Sequence, residues 1–143
     1  MIAVFIFYSV ARGVQSRLAF SREFKHCNTI TYDGCDWMQL EFDPTGFTMR
    51  RVKTDNGQGL INRLTMLHYI SSIVTVNVIE RAKFAWKPYL VRSCNEICRY
   101  TAGIDVGLTF NPKHLYDKLL RYRVLRNYEV LSQWRRSDGV SKK

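Results

Sequence analysis

Apolar positions change their spacing several times along the chain, and each change marks an element. Ile2 to Tyr8 is a short continuous apolar run rich in strand formers, the pattern of a buried strand. Ser9 to Phe20 matches no single period, and its nearest fit is a short helix closed by Ser21. Phe24 to Tyr32 reads as a second strand, followed by Asp33-Gly34, a strong hairpin signal. The returning strand, Trp37 to Asp43, alternates Met38, Leu40 and Phe42 with Gln39, Glu41 and Asp43. Pro44-Thr45-Gly46 makes a turn, and Phe47 to Lys53 reads as a further strand.

After a loop at Asp55–Gly59 the period changes. Leu60, Ile61, Leu64, Leu67 and Ile70 recur at helical spacing, which predicts a helix from Leu60 to about Tyr69. Ile73 to Glu80 is β-branched and strand-like, and Lys83 to Arg92, with Trp86, Pro88 and Tyr89, reads as an extended connector. Ser93-Cys94-Asn95-Glu96 fits a capping box, in which the Ser93 side chain accepts from the Glu96 amide and the Glu96 side chain reaches back. That helix runs to about Thr101, with Gly103 as its left-handed stop. Asn111-Pro112 opens a last helix whose inward residues are Leu115, Leu119, Leu120 and Val124. The expected fold is α+β: a small, mostly antiparallel sheet packed by helices. Without repeats or Pro/Ser-rich linkers, the expected organisation is one domain over residues 1–130 and a basic tail over 131–143, mobile beyond Arg135 unless a partner holds it.

Composition narrows the class. At 143 residues, with 46% hydrophobic and 24% charged positions, the chain has enough apolar surface for one core and is not disordered. No stretch approaches the ~20 apolar residues of a membrane span. The apolar opening lacks a basic lead and a cleavage site, so it reads as a core strand and not as a secretion signal. The formal net charge of +10 favours acidic partners. The basic residues cluster only after Lys118, where the C-terminal region offers contact to nucleic acid or to an acidic protein surface.

Cys94 is the most informative position for chemistry. A thiol in the first turn of a helix faces unpaired amides and the positive end of the helix dipole, which favour the nucleophilic thiolate. It needs an imidazole. His68 falls on the amphipathic helix and His114 in the exposed first turn of the last one, whereas His26 sits on a strand that holds it rigidly. A two-residue turn at Asp33-Gly34 sets His26 opposite Glu41, and a four-residue loop sets it opposite Asp43. Either register puts His26, Asn28, Glu41 and Asp43 on one face and Cys27 and Thr29 on the other. A carboxylate beside a histidine orients the ring and stabilises its protonated form. Cys98, one turn past Cys94, reads as packing beneath the helix, and Cys27 and Cys35 as structural. Cys94 and Cys98 with His26 or Cys27 lack the CxxC knuckle of a zinc site, so neither metal nor cofactor is expected.

The order of these parts resembles a circularly permuted papain-like fold, as in permuted NlpC-type peptidases and lecithin retinol acyltransferase-like proteins, and is most similar to small phage-encoded proteins of that class. The resemblance is carried by Phe24-Lys25-His26-Cys27, by Asp33-Gly34 with Trp37 and Asp43-Pro44, by Ser93-Cys94 through Gly103-Ile104, and by Asn111-Pro112 with Leu115-Tyr116. It implies Cys94 as nucleophile, His26 as base and Asp43 as orienter. The implied activity is that of a cysteine-dependent hydrolase or acyl transferase acting on an amide or ester. Cys94 is followed by Asn95 and Glu96, where the acyltransferase-like motif has glutamate and histidine. The alternative is a non-catalytic virion or assembly protein on the same fold, with other virion proteins as partners. Either role implies the host cytoplasm or the virion as location.

Overall fold

The computed structural model describes residues 1–10, 23–43, 46–54, 56–82, 93–107, 109–121 and 127–137, with backbone only at 42–43 and 46–47. The expected helix before Ser21, the connector over 83–92 and Val124 lie outside these residues. Among the described residues the protein is α+β: a six-stranded antiparallel sheet with helices on both faces.

The continuous apolar run forms β1 (Ile2–Tyr8), which lies inside the sheet between β2 (His26–Tyr32) and β5 (Ile70–Val78). The sheet order is β4-β3-β2-β1-β5-β6, with β3 at Trp37–Asp43, β4 at Gly46–Arg51 and β6 at Tyr128–Arg135. Both faces of β1 are covered, which is why it shows no alternation. Ala3, Phe5 and Phe7 join Phe24, Val74, Ile104 and Leu119 under two helices, α2 (Cys94–Ala102) and α3 (Pro112–Arg121). Val4 and Ile6 join Ile30, Trp37, Ile73 and Leu60, the last from α1 (Gly57–Thr65) on the other face.

Several boundaries differ from the sequence reading. Helix α1 starts at Gly57, where the Asn56 side chain accepts from the Gly59 amide, and stops at Thr65 rather than near Tyr69. Ile70 continues the helical spacing but is recruited as the first residue of β5, leaving Leu67 and His68 in the intervening turn. The hairpin after β2 is the four-residue loop, not Asp33-Gly34 alone. Tyr32 pairs with Trp37, Asp33 Oδ1 accepts from the amides of Cys35 and Asp36, and Gly34 takes a φ of 113°.

Strand β6 is the largest departure. It crosses the boundary placed at residue 130, so residues 131–135 belong to the sheet and not to a tail. Its period is broken by a bulge: Thr75 pairs with Ser132 but Val76 with Val130, leaving Leu131 extra. Tyr128 and Trp134 would share a face in a regular strand, yet here they enter opposite cores. The chain is fixed past Arg135 as well. Arg136 donates its amide to Ser71 O and its guanidinium to the carbonyls of Thr65, Leu67 and Ile70.

Candidate active site

Strands β2 and β3 pair from Tyr32–Trp37 only as far as Thr29–Leu40, after which β3 continues with β4 alone. This leaves the start of β2 open on the β3 side, and α2 packs against β2. Cys94, the first residue of α2, is half-buried there.

Cys94 packs against the core cluster that holds Cys27 and Cys98, and the Cys27 thiol, the His26 imidazole and the Cys27 main-chain N–H lie near enough to act on its sulfur. Side chains of successive strand residues leave opposite faces, while main-chain N–H groups lie in the sheet plane. Cys94 packs against the core on the Cys27 face, beside the first residues of β2 where the pairing with β3 has ended. The contacts set its acidity. Donation from the Cys27 thiol holds Cys94 well below the ordinary thiol range, and the hydrogen bond and charge of His26 and the Cys27 amide add to this, against the opposing cost of burial. Cys27 moves the other way: burial, then its donation to Cys94 and Cys98, pushes it well above that range and keeps it a thiol.

The helix start adds to this electrostatic setting. Ser93 has the extended N-cap conformation but its side chain makes no capping hydrogen bond, so the capping box does not form. Glu96 instead turns inward. Its carboxylate accepts from Arg99 at 2.6 Å, from the Thr109 amide at 2.9 Å and from the Thr109 hydroxyl, while Asn95 donates to Thr109 O at 2.7 Å. The ion pair and hydrogen bonds that satisfy the buried Glu96 carboxylate take the place of the reciprocal cap, and the first-turn amides of α2 gain no side-chain acceptor from Ser93.

His26 is the first residue of β2, paired across the ladder with Tyr8, whose ring packs on the imidazole at 5.5 Å. Tyr8 in turn stacks on Tyr69 at 6.1 Å. Burial and the nearby Glu41 charge push the Tyr8 hydroxyl up, against its hydrogen bond to Asn28, so it stays a neutral phenol. One side of the imidazole is thus fixed by an aromatic stack.

The third member is distributed differently from expectation. Asn28 and Glu41 do share the face of His26, but Glu41 Oε1 accepts from Asn28 Nδ2 at 3.1 Å and Oε2 lies 3.8 Å from Arg50. Asp43 pairs through its backbone with Gly46, and its side chain lies outside the described atoms. His68 sits in an exposed turn, and His114 accepts weakly from the Phe110 amide at 3.4 Å.

Cys27, read as structural, turns out to be the first partner of Cys94. The signal was adjacency: whatever reaches an imidazole on the first residue of a strand also passes the main chain of the next. An open groove of about 510 Å³, lined by Ile2, Tyr32, Trp37, Ile61 and Leu131 among others, lies at the opposite end of β1 and is not part of this site. Among the described residues no group of His, Cys, Asp and Glu side chains is arranged to hold a metal, and no helix is long and apolar enough to cross a membrane. No family model, curated protein or solved structure matches this chain.

Proposed function

We propose that this protein is a cysteine-dependent hydrolase or acyl transferase of the permuted papain-like class, acting on an amide or ester. The observation that carries the reading is the Cys94 thiol on the first residue of a helix, with the His26 imidazole near enough to help hold it below the ordinary thiol range. His26 accepts the Cys94 proton, and the thiolate attacks the substrate carbonyl carbon. The carbonyl oxygen becomes an oxyanion beside the first-turn amides of α2. His26 then gives its proton to the leaving amine or alcohol as the carbon–heteroatom bond breaks, and water or a second nucleophile releases the acyl group from sulfur. Asp43 is the proposed orienter of His26. The class resemblance makes the protein phage-encoded, and the excess of +10 charges favours an acidic substrate or partner.

The test uses Cys35, exposed in the hairpin loop, as an internal reference. At neutral pH iodoacetamide should label Cys94 faster than Cys35 by about tenfold or more, because the thiolate fraction governs the rate. His26→Ala should reduce that advantage, and an activated ester should leave its acyl group on Cys94. Equal labelling of Cys94 and Cys35 in the native protein would end this reading.

A second reading, an assembly protein without chemistry, draws on the two outer strands. Both β4 and β6 lie at sheet edges and expose apolar side chains, Met49 at 69% and Leu131 at 51%, as edges that accept another strand do. It predicts particle assembly that survives Cys94→Ala but fails when β6 is interrupted by proline.

A further inference from the structure

Three cysteines lie in or against one core cluster where α2 packs on β2, and acyl transfer uses only one of them. Cys27 is buried on a strand paired with β1, in the same cluster as Cys98, and Cys94 packs against that cluster. Cys94 alone is half-exposed, so a small reagent reaches it first. The four cysteines are free thiols. We propose that Cys94 and Cys27 form a redox modification site, in which a hydroperoxide oxidises Cys94 and Cys27 resolves the product as an intramolecular disulfide.

The chemistry balances with the hydroperoxide as the sole oxidant. The Cys94 thiolate attacks the terminal oxygen of R–O–O–H; an S–O bond forms and the O–O bond breaks. The departing alkoxide takes a proton from His26 and leaves as alcohol, or as water when the oxidant is hydrogen peroxide. Cys94 is now a sulfenic acid, oxidised by two electrons. The Cys27 sulfur then attacks the Cys94 sulfur, the S–S bond forms, and hydroxide leaves with the Cys27 proton as water. Two thiols and one hydroperoxide yield one disulfide, one alcohol and one water.

Geometry selects Cys27 over Cys98 as the resolving thiol. Cys94 and Cys98 stand i, i+4 on one helix, where Cβ atoms are about 5–6 Å apart. A disulfide needs about 3.5–4.5 Å, so closing that pair would distort α2. Cys27 belongs to another element, β2, on which α2 packs, and shares the core cluster that Cys94 packs against. A thiol–metal role is less suited, since no group of His, Cys, Asp and Glu side chains among the described residues has a metal-site arrangement. The inference rests on the Cys94–Cys27 contact and not on acyl transfer. Where both hold, the disulfide blocks the nucleophile and a dithiol releases it.

The experiment treats the full chain with equimolar hydrogen peroxide, alkylates remaining thiols and maps tryptic peptides without reduction. The expected product joins residues 26–50 to residues 93–99, and fragmentation assigns the bridge to Cys27 and Cys94 rather than to Cys35 or Cys98. Two of the four thiols should be lost, and dithiothreitol should restore both. With Cys27→Ser the sulfenic acid should persist and take up dimedone severalfold more than the native protein does; Cys94→Ser should abolish it. A bridge to Cys98, or Cys94 driven to sulfinic acid without any bridge in the native protein, would overturn the proposal. The native mapping decides even if Cys27→Ser fails to fold. Iodoacetamide labelling of Cys94, measured on the same sample, separates this failure from failure of the acyl-transfer reading.

Discussion

Two polar clusters share the start of α2 and differ in how their groups are satisfied. In one, Glu96, Arg99, Asn95 and Thr109 are all buried, and charge meets charge and donor meets acceptor. In the other, a half-buried sulfur lies beside a thiol, an imidazole and an amide that hold it below the ordinary thiol range. The first cluster holds the fold, and the second is the one proposed to react. Burial of charge does not tell them apart, because Glu96 is more buried than Cys94. What separates them is that every Glu96 partner is fixed protein, whereas Cys94 keeps an open side.

That division breaks most visibly through Glu96. Glu96→Ala removes the 2.6 Å partner of the buried Arg99 guanidinium and leaves it Asp105 at 3.9 Å and the Tyr100 ring, so the loss should approach but not exceed the roughly 3–5 kcal/mol of a broken buried pair. Chemical denaturation should show that loss, while iodoacetamide labels Cys94 in the folded fraction at nearly its native rate. A stable Glu96→Ala protein with slow Cys94 labelling would mean that the two clusters work as one.

A smaller effect sharpens the structural side. Arg136 closes the end of α1 by donating to the carbonyls of Thr65 and Leu67 at 2.9 and 3.0 Å, and to Ile70 O at 3.1 Å. It also lies over the Trp134 ring, 5.3 Å from its centroid. Hydrogen bonds to a charged group contribute about 1.5–3 kcal/mol. Arg136→Met should cost an amount in that range by denaturant midpoint and leave Cys94 labelling unchanged. Arg136→Lys should recover only part of the loss, since one ammonium does not span the three carbonyls as a planar fork does. No change in either variant would show that the chain after β6 is dispensable.

How much of this was legible depends on whether a residue's role is local. Strand β1, the strand after the hairpin, the Gly103 stop and the Asn111-Pro112 helix start follow from the residues themselves. Gly103 takes φ 66° and Asn111 Oδ1 accepts from His114 N, as their types dictate. The sequence also places a thiol at a helix start and an imidazole on a strand. Roles decided by long-range contact were hidden. Glu96 fits a capping box until Thr109 and Arg99 offer it better partners. Ile70 fits a helix until β1 claims it for the sheet. The bulge at Leu131 scrambles the alternation that would reveal β6. Cys27 reads as structural because nothing in its own neighbourhood says that a helix sixty-odd residues later starts against it.

The finest test concerns how the sulfur's acidity divides between Cys27 and His26. A free thiol loses about tenfold in alkylation rate for each pH unit below about 8.5, because only the thiolate reacts. Cys94 is held below that range, so its thiolate persists as pH falls, and its rate should stay level until pH drops through its own lowered value. The first contributor is the Cys27 thiol acting as donor, ahead of the imidazole. Cys27→Ser keeps an O–H that donates to the sulfur and should leave the curve close to native. Cys27→Ala removes the donor and should move the decline to higher pH, slowing labelling at neutral pH by about tenfold for each unit moved. His26→Ala should move it in the same direction, but by less. If Cys27→Ser and Cys27→Ala gave the same native curve, the thiolate would owe nothing to Cys27, and the site would reduce to a two-membered pair of sulfur and imidazole.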